Sequence, residues 1–497
     1  MYSDESDETW ICASCIEESF LSTLIENEGV KEACTFCGEK NSCFSLEEIS
    51  NATETAIEQH FIRTPVDPTP VEYAMIKHGR QAWYRHGDQI NTLLEDLLQT
   101  RPEVASAVQQ YLENRHGDFE SAATGVETEF DSESHYEERQ KVDTSQLDSM
   151  WAKFVSSLKT ESRFINHSVR ETLDGIFSDV ESMRAGRKKE VIVKAGSGTA
   201  IPVLYRARWC RDQEELENML VTPDRHLGPP PHHLSGANRM SARGISVFYG
   251  ASSVATAIPE IRPPAGCYVV TAGFRIIRPL RLLNLPALEG VWKSGSYFDP
   301  DFINKRAQVA FLRKLSGLMT EPVLPGEEEF RYIPTQVIAE YLADSAQLAL
   351  DGILYPSVQN PELPASEHYN VVLFHKASEV NYQPLPALAD CEISFGYQYS
   401  EDDWEEDICV TQIAEPSEPA PQEKRYGMAP RPLNVRVPAL EIDLATVCVH
   451  HIRGVTLNYS SDTVSRRKHI IKEADGSPGV LASPHQESND WPDNEPF

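Results

Sequence analysis

The chain has 497 residues, too many for one compact core, and a prior of about 100–200 residues per domain predicts two or three domains. Lysine and arginine number 45 against 76 aspartate and glutamate, a formal net charge of −31; phosphate binding needs clustered cations, so a general nucleic-acid coat is disfavoured, although a local basic pocket is not. No apolar run reaches the ~18 residues of a membrane span, and the acidic start MYSDESDETW is unlike a signal peptide, so a soluble, cytoplasmic protein without membrane partners is expected.

In chain order, residues 1–44 read as a zinc-ribbon-like cysteine knot with little apolar content of its own. Cys12-x-x-Cys15 and Cys34-x-x-Cys37 are two knuckles, each able to bring two thiolates to one ion from a tight turn. Two such turns close a tetrahedral four-cysteine site with no open position, which points to a structural Zn²⁺ rather than a catalytic one. Cys43 is read as a bystander or as a substitute for Cys37. The remaining cysteines (Cys210, Cys267, Cys391, Cys409 and Cys448) are scattered, as reduced structural cysteines are.

Residues 45–190 read as an α-helical domain. SLEEISNATETAIEQHFI, INTLLEDLLQT, LDSMWAKFVSSLKTESRFI and VRETLDGIFSDVESM space apolar residues by three and four. TPVDPTP is a rigid break, residues 121–138 an exposed acidic connection, and RAGRKK (184–189) a boundary. Residues 191–380 then alternate strand candidates with helix candidates. VLYRARW, SVFYGA, CYVVTAGF, GILYPS and NVVLFH are rich in β-branched and aromatic residues, whereas SSVATAIPE, FINKRAQVAFLRKL and TQVIAEYLADSAQ read as helices. Residues 381–471 form an extension with a Pro-rich linker (416–432) and two or three strands in VRVPALEIDLATVCVHHIRGVTLNYSS; 472–497 read as a disordered tail. The fold class is multidomain α+β.

Four residues carry candidate chemistry. The guanidinium of Arg239 is a permanently charged fork suited to a pyrophosphate. Gly244 opens the turn into the strand that carries Tyr249, whose ring can stack on a flat group. Glu260 ends SSVATAIPE, where a carboxylate can hold ribose hydroxyls and oppose positive charge at an anomeric carbon. Ser357 ends ILYPS, where a small hydroxyl can approach a ligand. Taken singly, each has an ordinary reading as a solvated charge, a core tyrosine or a turn serine.

In combination these segments resemble the RES domain, whose Arg-Trp-Asn…Gly…Tyr…Glu stretch corresponds to Arg239-Met240-Ser241…Gly244…Tyr249…Glu260. Tyr205-Arg206, Gln336, Ser357 in YPS and Asn370 in NVVLF extend the likeness over about 200–376, and Met240-Ser241 depart from the usual Trp-Asn. The resemblance implies an ADP-ribosyltransferase-like fold and a bacterial toxin acting on NAD⁺. Arg239, Tyr249, Glu260 and Ser357 would be catalytic, and Arg206, Gly244 and Asn370 would bind the dinucleotide. It implies an antitoxin or regulatory protein as a candidate partner, and it leaves water, phosphate or a protein side chain as the acceptor. The helical region resembles the HEPN-type regions found ahead of some RES domains, and Arg80 and His86 have the Arg-x₄₋₆-His spacing of HEPN RNases. An RNase, or a non-catalytic zinc and helical interaction protein with an inactive RES domain, are the alternatives. GSG (196–198) lacks the Lys-Ser/Thr of a phosphate loop and reads as a turn. His232-His233 and EDDWEED (401–407) read as solvated loops, and His450-His451 as strand neighbours facing opposite ways.

Overall fold

Alternating burial along short, β-branched strands builds the centre of the protein, an eight-stranded mixed sheet. A computed structural model describes residues 8–77, 79, 83–117, 126–139, 142–161, 166–186, 190–324, 326–357, 368–398, 404–405, 408–413, 436–456 and 460–466. The sheet runs in the spatial order Leu440–His451, Tyr268–Ile276, Val203–Cys210, Phe248–Ala251, Tyr369–Leu373, Gly352–Pro356, Leu280–Asn284, Ile192–Ala195. Among the described residues its one parallel strand pair joins Leu280–Asn284 to Gly352–Pro356. A parallel pair needs a long crossover, and here that crossover contains the helices Phe302–Thr320 and Ile333–Asp344.

Both faces of the sheet are covered. Leu354, Val371 and Leu373 enter one core with Phe248 and Phe274, while their neighbours Ile353 and Val372 enter another with Phe311, Leu315 and Leu342. This is the period-two consequence of a pleated strand. The second of these cores also takes Phe154 and Leu158 from the helix Ser145–Thr160 and Leu173 and Phe177 from His167–Phe177. The cysteine-rich segment shares a different core, which runs from Ile11 to Tyr136. There the strands Trp10–Cys12 and Lys40–Ser45 pack with the helices Ser19–Glu28, Leu46–His60, Ile90–Leu98 and Pro102–His116, and the exposed strand Val30–Ala33 pairs with Lys40–Ser45. Leu46–His60 starts at a capping box, with Ser45 and Glu48 satisfying each other's backbone N–H.

The acidic stretch read as a connection contains the strand His135–Glu138, paired with Phe61–Arg63 and Asp88–Gln89. Among the described residues, the C-terminal segment read as two or three strands makes one long strand, Leu440–His451, whose pairing slips at a bulge between Thr271 and Gly273. The GSG segment is a turn, with Gly196 and Gly198 at φ +136° and +76°. His450 bonds Thr271 at 2.9 Å and His451 stacks on Tyr268. The Pro-rich linker, the tail from 472 and Arg80 lie outside the described residues. One compact unit spans Met1–Gly454; Val455–Phe497 form a second, with no helix or strand among its described residues. Among the described residues no helix is long and apolar enough to cross a membrane.

Candidate active site and candidate metal centre

Strand register assembles the cleft. Tyr205 pairs with Ala251, Ala251 with Asn370 and Asn370 with Tyr355, so four strands present one row of residues to the same face. All four line a cleft of about 500 Å³, within the range of small-molecule and cofactor sites. Arg206, Arg239, Tyr249, Glu260 and Asn370 line it as well; Gly244 and Ser357 are not among the lining residues.

Glu260 is the last residue of the helix Val254–Glu260, which begins at the N-cap Ser253. Its Oε1 accepts from Ser357 Oγ at 2.6 Å and from Asn370 Nδ2 at 2.8 Å. Both donors are buried, so they hold the carboxylate in one orientation. Ser357 therefore touches Glu260 directly, behind the cleft wall rather than on it.

Arg239 sits in a tight turn in which Asn238 and Ser241 exchange backbone hydrogen bonds. The turn is pinned from the start of the helix Ile333–Asp344, where Thr335 Oγ1 donates to the Arg239 carbonyl and Gln336 Nε2 to that of Asn238. The guanidinium donates to the carbonyls of Met319 (3.2 Å) and Glu321 (2.7 Å) and lies 5.1 Å from the ring centre of Tyr332. Gly244, at φ +88°, makes the next turn and donates to the Ser235 carbonyl at 3.0 Å. It aims the strand that follows and takes no place in the cleft wall. Met240 and Ser241, where the sequence departs from Trp-Asn, are buried, and Met240 belongs to the core. The backbone N–H of Met240 donates to the Tyr249 hydroxyl at 3.2 Å, and burial pushes that phenol up to about 12, so it stays protonated.

Arg206 differs from Arg239. Its Nη1 is shut off from solvent and has no hydrogen-bond partner among the described residues, and its guanidinium carbon is 4.9 Å from the ring centre of Phe248. Burial first, then Arg208, lowers it to about 9, so it is cationic at neutral pH. Strand alternation places this side chain with Leu204 on the Phe248 face, opposite the Tyr205 row, so Arg206 borders the cleft through its strand and, contrary to expectation, does not present its guanidinium to it.

Sequence reasoning missed Tyr332 and Tyr355. Tyr355 has a signal in retrospect, since it is two residues before Ser357 and faces the same side of its strand. Tyr332 has none, because it sits between two helices far from the other site residues. Of the Arg80–His86 pair, only His86 is described. Its ring bonds Glu72 at 3.0 Å, and the nearby Arg85 is engaged by both oxygens of Glu127.

Far from the cleft in sequence, the Sγ atoms of Cys12, Cys15, Cys34 and Cys37 lie within 4.8 Å of one another. Cys12–Cys37 is 3.6 Å and Cys15–Cys34 is 3.8 Å. A tetrahedron with zinc–sulfur bonds of about 2.3 Å has edges of about 3.8 Å, so the donor set could hold zinc. Burial raises the Cys12 thiol to about 11. At Cys34 burial is outweighed by backbone N–H donors of Cys37, Cys12 and Phe36, and the thiol falls to about 7. Cys43 is outside the cluster and turns to the Glu32 and Asn41 carbonyls.

No curated protein and no solved structure matches the chain. Residues 203–395 match the family model of the RES domain, a family associated with NAD⁺-processing enzymes. The matched span starts at the strand that carries Tyr205 and Arg206 and includes every residue of the cleft. The likeness to the RES domain therefore runs from Val203 to Phe395 and leaves the residues before Val203 outside it.

Proposed function

We propose that the cleft cleaves the bond between nicotinamide and ribose in NAD⁺. The observation that carries this reading is the Glu260 carboxylate, fixed through Oε1 by Ser357 and Asn370 on the wall of a cleft that also holds Arg239. Nicotinamide in NAD⁺ is already cationic. When the C1′–N bond breaks, its electron pair leaves with neutral nicotinamide, and no general acid is required. The demand is for positioning and for negative charge beside the oxocarbenium-like ribose. Glu260 Oε2, free of partners among the described residues, is the group for the ribose hydroxyls and the developing charge. Arg239 takes the pyrophosphate, and Tyr249 stacks on the nicotinamide or the reacting ribose. Ser357 acts through Glu260, and Asn370 both orients Glu260 and lines the cleft. The acceptor then adds at C1′: water gives ADP-ribose, phosphate the phosphorolysis product, and a protein side chain ADP-ribosylation.

In this reading the chain is a NAD⁺-depleting toxin or defence effector restrained by a protein partner, and the four cysteines hold a structural zinc. Nicotinamide release from NAD⁺, followed with and without phosphate, tests it. Turnover by the wild-type chain that is lost in folded Glu260→Ala and Arg239→Ala supports the assignment. Undiminished turnover in either variant overturns it.

A further inference from the structure

The helix Phe302–Thr320 has its two ends in different places. At its start, Phe302 packs on the rings of His60 and Tyr297, with ring centres 5.6 Å apart in both pairs. One turn on, Arg306 donates to His60 Nδ1 at 3.0 Å and to the Arg139 carbonyl at 2.9 Å, and pairs with Glu138 at 2.9 Å. His60, Glu138 and Arg139 all belong to the N-terminal half. His60 is also the last residue of the helix that starts beside the cysteine-bearing strand. At the far end of Phe302–Thr320, the carbonyls of Met319 and Glu321 hold the Arg239 guanidinium. That helix end has no basic residue of its own in its last turn, so Arg239 supplies the cation that its carbonyls favour.

A helix of 19 residues is a rod of about 28 Å. This one is clamped along its length: Val309, Phe311, Leu312 and Leu315 are buried, and Arg313 donates to the Val291 carbonyl. A shift at one end therefore reaches the other as a shift rather than being absorbed by bending. The His60 end is also the weaker anchor. His60 is fully buried, its Nε2 has no partner among the described residues, and burial together with Arg306 keeps the ring neutral. A buried N–H without an acceptor is a standing cost, which lowers the barrier to rearranging that contact.

We propose that His60 and Arg306 are positioning residues for Arg239: the N-terminal half sets the cleft arginine through the helix Phe302–Thr320. The consequence for NAD⁺ rests on the function proposed above; the mechanical link does not. The test is hydrogen–deuterium exchange on the full chain. The amides of Asn238, Met240 and Ser241 are all hydrogen-bonded in the Arg239 turn and serve as reporters. Arg306→Ala and the ring-preserving His60→Phe are each expected to raise exchange at these three amides by at least about fivefold, the low end of inter-site coupling. The strand amides of Val371–Leu373 should hold steady, Arg306→Lys should restore part of the protection, and the neighbouring Lys305→Ala should do nothing. Exchange that rises only around 58–61 and 302–306, or equally at Val371–Leu373, overturns the proposal. With NAD⁺, Arg306→Ala should raise KM at least fivefold and leave kcat within about twofold, the pattern of lost ground-state binding. If no chain cleaves NAD⁺ while the exchange coupling holds, the function proposed above fails and this inference stands.

Discussion

Ser357→Ala separates two roles for one hydroxyl. Read from sequence, Ser357 contacts substrate; in the structure its Oγ donates to Glu260 Oε1 at 2.6 Å and it is 7 % exposed. A hydrogen bond from a neutral donor to a carboxylate contributes about 1.5–3 kcal/mol. At about 1.4 kcal/mol per tenfold, losing all of it from the transition state would lower kcat about 10–150-fold. Asn370 still holds the same oxygen at 2.8 Å, so the expected loss lies at the low end, about tenfold, with KM nearly unchanged. Glu260→Gln keeps an acceptor for both donors and removes only the charge. Opposite charges about 4 Å apart at an effective dielectric of 20 interact by about 4 kcal/mol, which corresponds to about a thousandfold in kcat. Steady-state nicotinamide release measures both variants, with ADP-ribose affinity as a check that the cleft is intact. Should Ser357→Ala instead raise KM several-fold at constant kcat, the hydroxyl contacts substrate, and its role as a support for Glu260 is wrong.

Three further outcomes follow from the same geometry. Replacing Arg206 with Met removes a buried donor whose unpaired state costs about 1–3 kcal/mol; thermal stability should rise while ADP-ribose affinity holds steady, and calorimetry reads both. Burial lowers Arg206 to about 9. The unfolded chain keeps this proton to higher pH, so the cost of burying the cation is full at neutral pH and shrinks above about 9, which melting profiles from pH 7 to 10.5 would reveal. The chain should carry one zinc by elemental analysis, and Cys34→Ser should lose it. Stripping the metal should lower the melting of the 10–136 region by at least about 5 °C, because Cys12, Cys15 and Cys34 are themselves buried in that core.

Much of the site was legible because its residues lie in short segments whose local chemistry is plain. SVFYGA is a short run rich in aromatic and β-branched residues, so Tyr249 could be placed on a strand. SSVATAIPE has a serine cap, so Glu260 could be placed at a helix end. The Cys-x-x-Cys pairs carry their geometry in their spacing. What could not be read depends on register and on partners distant in sequence. Nothing local shows that Tyr205, Ala251, Asn370 and Tyr355 share one row, or that the hydroxyl of Ser357 points at a carboxylate 97 residues away. The strand Leu280–Asn284 was missed because LRLLN is leucine-rich without β-branching, and its strand character comes from the parallel partner.

The helices show the same limit in another form. Three-to-four spacing says that Leu46–His60 and Ser145–Thr160 each bury a face, and both do. It does not say against what. The first packs with the cysteine knuckles and the second with the helix that reaches the cleft. A periodic pattern specifies an apolar stripe but not its complement, because any stripe of similar width offers similar burial. Partner choice is made by the few groups for which a wrong neighbour is costly. Here these are Arg306, with His60 and Glu138 on one side, and Gln308, whose single Nε2 lies within hydrogen-bonding distance of the carbonyls of Gly175, Ile176 and Ser178. Each would leave a buried polar group unpaired if its helix docked elsewhere. The residues that decide how the two halves meet are therefore polar, and the apolar pattern from which helices are read is silent about them.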